Sequence, residues 1–263
     1  MAGLSWTRGD LAAPGDWREA LAEADAVVHL AGAPIAGRRW SAARKDELRS
    51  SRVASTRAIV TALADLSAPP GVLVCASASG FYGARRDEVL DENSAPGDDF
   101  LARLCVDWEA AAREAETAGV RVTSLRFGAV LSRHGGALAR MLPLFRLGLG
   151  GSLGPADRFF PWIHEDDAVG LVEWALAAGP VGGGPVNAVA PEAIRMGDWA
   201  RCLGEVLGRP ARLAVPRFAL RVLLGELADS LAPGQRIVPA AALEGDYVFR
   251  QPRLEAALRT LLG

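Results

Sequence analysis

The 263-residue sequence predicts an α/β protein, a parallel sheet with helices on both faces. Three observations predict it. Short apolar runs recur in the first half: Ala26-Val-Val-His-Leu-Ala31, Val72-Leu-Val-Cys-Ala-Ser77 and Val120-Arg-Val-Thr-Ser-Leu125. Such runs suit strands buried on both faces. Helix-like segments separate them, which is the alternation of βαβ units. Small residues follow the strand ends, as in Ala76-Ser-Ala-Ser-Gly-Phe-Tyr-Gly83, where open α/β sheets let a ligand approach the backbone.

Taken in order, residues 16–24 read as a short helix leading into the first strand, which Gly32 ends. Residues 41–63 read as one or two helices, and Pro69-Pro-Gly71 breaks the chain before the second strand. Residues 100–118 read as a helix stopped by Gly119, and the third strand follows at once. The second half loses the alternation. Leu138, Met141, Leu142 and Phe145 stand at helical spacing, Phe159-Phe-Pro-Trp-Ile-His164 reads as extended, and residues 166–178, 196–207 and 216–231 read as helices. The expected division is a parallel-sheet domain over 1–134, with returns to the sheet near 160–190. A smaller, mostly helical substrate-side and C-terminal domain covers 135–263.

Composition narrows the function. Half of the residues are hydrophobic and 23% are charged, which excludes a disordered or fibrous chain. Lys and Arg number 29 against 31 acidic residues, so no basic excess points to nucleic acid or an anionic membrane. No apolar run approaches the ~18 residues of a membrane span, and the first residues lack a signal peptide's apolar stretch. Three widely spaced cysteines without Cys-x-x-Cys suit a reducing compartment, not a disulfide or zinc framework. The expectation is a cytoplasmic protein with no metal site. Lys45 is the sole lysine, and Tyr82 and Tyr247 are the two tyrosines, so Tyr–Lys chemistry has few carriers.

Each strand-end motif has a plain structural reading: a turn, a tight loop, or a helix cap at Glu165, Asp166 or Asp167. As an ordered set they resemble the extended short-chain dehydrogenase/reductase superfamily, in its sugar-nucleotide epimerase-like branch. The set is His29-Leu-Ala-Gly32, Ala76–Gly83, Trp108-Glu-Ala-Ala111, Arg126-Phe-Gly-Ala-Val-Leu131, Gly135-Gly-Ala-Leu138, Phe145–Gly151 and Trp162-Ile-His164. The stretch 216–262, with Gly234-Gln-Arg-Ile-Val-Pro239, resembles that branch's terminal domain. The resemblance implies a Rossmann-like fold that binds NADP(H) and transfers hydride to or from a carbonyl or secondary alcohol. Its partner is a small molecule, a sugar nucleotide or a carbonyl compound, and a homo-oligomer is compatible with it.

Two parts of the superfamily's pattern are missing. No Gly-x-x-Gly-x-x-Gly turn opens the chain, whose start falls near the superfamily's third strand. The fold is therefore expected to be N-terminally truncated, with the true start upstream of Met1. The other possibilities are a genuinely shortened protein or a gap filled by another segment or chain. The Tyr-x-x-x-Lys positions fall on Leu101 and Cys105, which cannot pass a proton in that way. The resemblance places Leu30, Ala31, Glu47, Arg52 and Val130 against the cofactor. Arg52 alone has a physical warrant, as a phosphate partner; a solvated face with Asp46, Glu47 and Arg49 is its alternative. Ser77 and Ser79 are the candidate catalytic hydroxyls, with backbone capping as their alternative. His29 reads as a packed strand residue, and His164 as a pocket or core residue. The competing functions are a non-catalytic dinucleotide- or sugar-nucleotide-binding module and a truncated fragment with impaired cofactor binding.

Overall fold

The computed structural model describes residues 3, 5–7, 9–11, 13, 15–177, 183–215 and 234–263. Its main sheet has four parallel strands: β1 (Ala26–His29), β2 (Val72–Ala78), β4 (Arg121–Phe127) and β9 (Gly184–Ala188), side by side in that order. Registers are continuous across the sheet. His29 lies beside Cys75, Ser77 beside Arg126, and Arg126 beside Asn187. The C-terminal ends of the strands therefore lie together.

The strand cores alternate sides as a pleated strand must. Leu73, Cys75 and Val122 point into one layer with Leu48 of α2 (Ala42–Arg49), Ile59 and Leu63 of α3 (Ser55–Ala64), and Leu104 and Trp108 of α4 (Phe100–Arg113). Val74, Leu125, Val186 and Ala188 point into the other, with Ile163, and with Leu171 of α6 (Glu165–Leu176). The short α1 (Trp17–Ala22) precedes β1 and presses Trp17 and Leu21 against the first layer.

A separate apolar cluster sits among the helices of the second half. It joins α5 (Gly136–Arg146), α7 (Met196–Leu207) and α9 (Leu254–Leu262) through Leu138, Phe145, Trp199, Leu203 and Leu258. Short strands tie the two regions together. β5 (Ala129–Leu131) pairs with β8 (Trp162–His164), and β7 (Phe159–Phe160) with β10 (Ile194–Arg195). β6 (Gly151–Leu153) pairs with β11 (Leu213–Val215), and β3 (Val89–Leu90) with β12 (Arg236–Ile237). The last helix before α9, α8 (Ala240–Glu244), buries Ala242 against the second layer of the sheet.

Most expected elements form. The run 41–63 is α2 and α3 joined by a π-turn, Ser50–Ala54. α7 occupies the expected span because Gly208 adopts the left-handed conformation that ends a helix. The helix expected over 216–231 lies outside the described residues. Within the returns to the sheet expected near 160–190, Gly184-Pro-Val-Asn-Ala188 carries little β propensity, so β9 itself has no local signal. β1 has one neighbour, β2, among the described residues, and Val28 and Leu30 beside its other edge are exposed.

Candidate active site at the strand tips

Beyond the β1–β2 ladder, Leu30, Ala31 and Gly32 run on without regular structure and exposed. The next residue, Ala33, is held from the π-turn. Its N–H donates to Ser51 Oγ at 3.0 Å, and its carbonyl accepts from Arg52 Nη2 at 3.1 Å. Arg52 is 8% exposed, its guanidinium 5.2 Å from the Trp108 ring, and it has no carboxylate partner among the described residues. Burial lowers its pKa below the usual guanidinium value. A Cβ at Gly32 would meet the guanidinium carbon at 3.2 Å, so glycine keeps this surface open beside the cation. The solvated-face alternative for Arg52 is thereby corrected. The carboxylates around it are taken by others, Glu47 by Arg44 and Arg38, and Asp107 by Arg49.

Glu47 itself is half exposed, and its bond to Arg44 holds its pKa below the usual carboxylate range. It lies one helical turn before Arg52. Arg44 in turn reaches the Pro34 carbonyl, and Trp40 Nε1 donates to Ile35 O at 3.1 Å. The loop after β1 is thus fastened by side chains instead of by a neighbouring strand.

The tip of β2 carries a buried polar chain. Ser77 Oγ donates to Glu109 Oε1 at 2.6 Å, and Glu109 takes a two-pronged bond from Arg126, both contacts at 2.9 Å. Arg126 also donates to Tyr82 Oη at 2.9 Å, and Tyr82 donates to Asn187 Oδ1 at 2.6 Å. The guanidinium stacks 3.5 Å from the centre of the Phe81 ring. Burial works against the charge of Arg126, but the bonded Glu109 carboxylate outweighs it and raises its pKa. Burial pushes the Tyr82 phenol up to about 12. Ser77 is therefore engaged with protein, whereas Ser79, two residues on in a 3-10 turn, is half-buried and makes no side-chain hydrogen bond among the described residues.

The two positions facing this turn on α4 are apolar in effect. Leu101 and Cys105 are buried, and burial pushes the Cys105 thiol up to about 12. They press so closely that a Cβ at Gly80 would lie 3.2 Å from Leu101 Cβ. No phenol or ammonium stands there to move a proton.

The remaining candidates separate. Val130 lies in β5, half-buried, paired with Ile163 of β8. His29 is buried, with Nε2 3.3 Å from Ser55 Oγ, and burial alone lowers it to about 4. It is a packed strand residue, as expected. His164 is 2% exposed, and its Nδ1 accepts from Asp166 N at 3.0 Å, so the histidine caps α6. The acidic residues expected to cap that helix do not. Asp167 instead accepts backbone N–H groups of Arg250 and Gln251 at 2.7 and 2.8 Å. Ser51, Glu109 and Asn187 were missed. For Glu109 and Arg126 a signal existed, a charge set inside an otherwise apolar helix face and an apolar strand.

The description "NAD dependent epimerase/dehydratase family" matches residues 1–188, most of the chain. The chain belongs to that family. A domain of unknown function, DUF1731, matches residues 215–261. The chain is 41% identical to the Arabidopsis thaliana epimerase family protein SDR39U1 homolog, chloroplastic, over 96% of its length and 72% of the relative's. It is 37% identical to human SDR39U1, over 98% of this chain and 87% of that one. A crystal structure of human SDR39U1 (isoform 2) with NADPH is similar at TM-score 0.86 and 35% identity, covering 93% of this chain and 85% of that one. MoeE5 in complex with UDP-glucuronic acid and NAD shares the fold at TM-score 0.78 and 21% identity, covering 97% and 83%. Family membership makes the sheet a Rossmann-like one. Among the described residues no helix is long and apolar enough to cross a membrane.

Proposed function

We propose that the protein is an NADP(H)-binding, epimerase-like oxidoreductase acting on a small carbonyl compound or sugar nucleotide. The observation that carries this reading is the likeness, over 93% of the chain, to a human protein solved with NADPH. The residues at the strand tips fit a dinucleotide. Leu30, Ala31 and Gly32 offer an exposed ledge. Arg52 supplies a fixed positive charge with no carboxylate against it among the described residues, and a side chain at position 32 would fill the space beside it. Glu47 and Val130 complete the proposed cofactor set. When bound, the nicotinamide ring supplies or accepts the hydride.

The chain's own part is to hold and orient. Ser79, whose hydroxyl has no partner among the described residues, donates a hydrogen bond to the substrate oxygen. Ser77 keeps the β2 tip in place through Glu109, and Leu101 and Phe81 exclude water. Leu101 and Cys105 in place of a phenol and ammonium predict slow turnover, because proton transfer by a positioned group is worth about 10²–10⁴-fold.

The test is NADPH oxidation monitored against a panel of carbonyl compounds and sugar nucleotides. Turnover with at least one class, reduced in Ser79→Ala, is the expected result. NADPH binding without turnover on any of them would overturn the catalytic reading and leave a non-catalytic binding module.

A further inference from the structure

We propose that Ser51 is a positioning residue for the cofactor ledge, acting through Ala33; this rests on the NADP(H) reading above. The ledge 30–32 leaves the sheet after the His29–Cys75 pair and has no ladder of its own. Its far end is Ala33, and both backbone polar groups of Ala33 are taken by consecutive residues, Ser51 and Arg52. Consecutive side chains of an α-helix diverge by about 100°. Here both reach one residue from a π-turn, a geometry that recurs at functional sites.

The Ser51 hydroxyl is saturated by this arrangement. It donates to Leu48 O at 3.2 Å and accepts from Ala33 N at 3.0 Å and Arg52 Nη1 at 3.4 Å. One oxygen therefore sets the height of the ledge and the direction of the guanidinium together. Alanine at 51 would free the Ala33 N–H and one contact of Arg52 while removing little buried surface. Threonine would keep the oxygen.

The experiment measures NADPH affinity by fluorescence titration, and unfolding temperature without cofactor, for wild type, Ser51→Ala and Ser51→Thr. Ser51→Ala weakens binding about tenfold, the size of one lost hydrogen bond. Its unfolding temperature moves by no more than about 4 °C. Ser51→Thr restores affinity to within about threefold of wild type. Ser51→Ala binding within about twofold of wild type, or Ser51→Thr no better than Ser51→Ala, overturns the role. A second readout uses wild type alone. Amide exchange at Ala33 slows when NADPH is added, and an unchanged rate overturns the proposal. Wild type that binds no NADPH defeats the parent reading instead.

Discussion

Glu109 and Arg126 are each about 5% exposed and bonded at two points, so neither charge tolerates losing the other. Glu109→Gln leaves the guanidinium buried without a counter-charge, and its expected cost is about 3–5 kcal/mol in urea unfolding. A loss under about 1 kcal/mol would mean that water reaches the pair. Ser77→Ala removes one donor to the same carboxylate, and a cost of about 1–2 kcal/mol is expected. At His29 the sign follows from burial. Its folded pKa is about 4, below the unfolded value of about 6.5. Stability is full above about pH 6.5 and falls as the pH drops toward 4, by about 1.4 kcal/mol per unit. His29→Gln flattens that part of the profile, and a variant with the wild-type slope would place the titration elsewhere.

Carboxylates tie the C-terminal segment down: Glu192 accepts the Leu254 N–H at 2.6 Å, and Asp167 on α6 holds the stretch before it. Asp167 is fully buried and holds the Arg250 and Gln251 N–H groups, with the Tyr247 hydroxyl at 3.2 Å. Asp167→Asn turns one acceptor into a donor facing N–H groups. It is expected to cost at least about 2 kcal/mol and to release 247–263 to limited proteolysis first. Unchanged cleavage there would show that the packing of α9 and the Glu192–Leu254 bond hold the segment without Asp167.

Legibility from sequence varied element by element. β2 and β4 were readable because strands covered on both faces are rich in apolar and β-branched residues, even though each carries buried polar side chains, Ser77 in one and Thr123, Ser124 and Arg126 in the other. The edges of α7 were readable because its stop is a local glycine conformation. β9 was legible only as a return to the sheet somewhere near 160–190, since its place depends on pairing with β4 more than fifty residues earlier. The site divided in the same way. His29 was legible as packing. The burial of Arg52 was not, because the Trp108 ring that covers it comes from another helix. The cap at His164 hid the role of Asp167, whose partners lie more than eighty residues on in sequence.

At the scale of the whole molecule, the sheet gathers an exposed ledge, a buried guanidinium and the half-buried Ser79 at one set of strand tips, in a chain of the NAD dependent epimerase/dehydratase family. A ligand held there stabilises the folded state by mass action, by about 2.7 kcal/mol at a hundred times its dissociation constant. NADPH should therefore raise the unfolding temperature in a concentration-dependent way, and sodium phosphate at matched ionic strength should do so far less. The most direct measurement is a fluorescence titration of NADPH with wild type and Arg52→Ala. Saturable binding below millimolar cofactor, lost or strongly weakened in the variant, is the expected result. Equal affinity of the two proteins, or no saturation by wild type at all, would contradict a cofactor site built around Arg52.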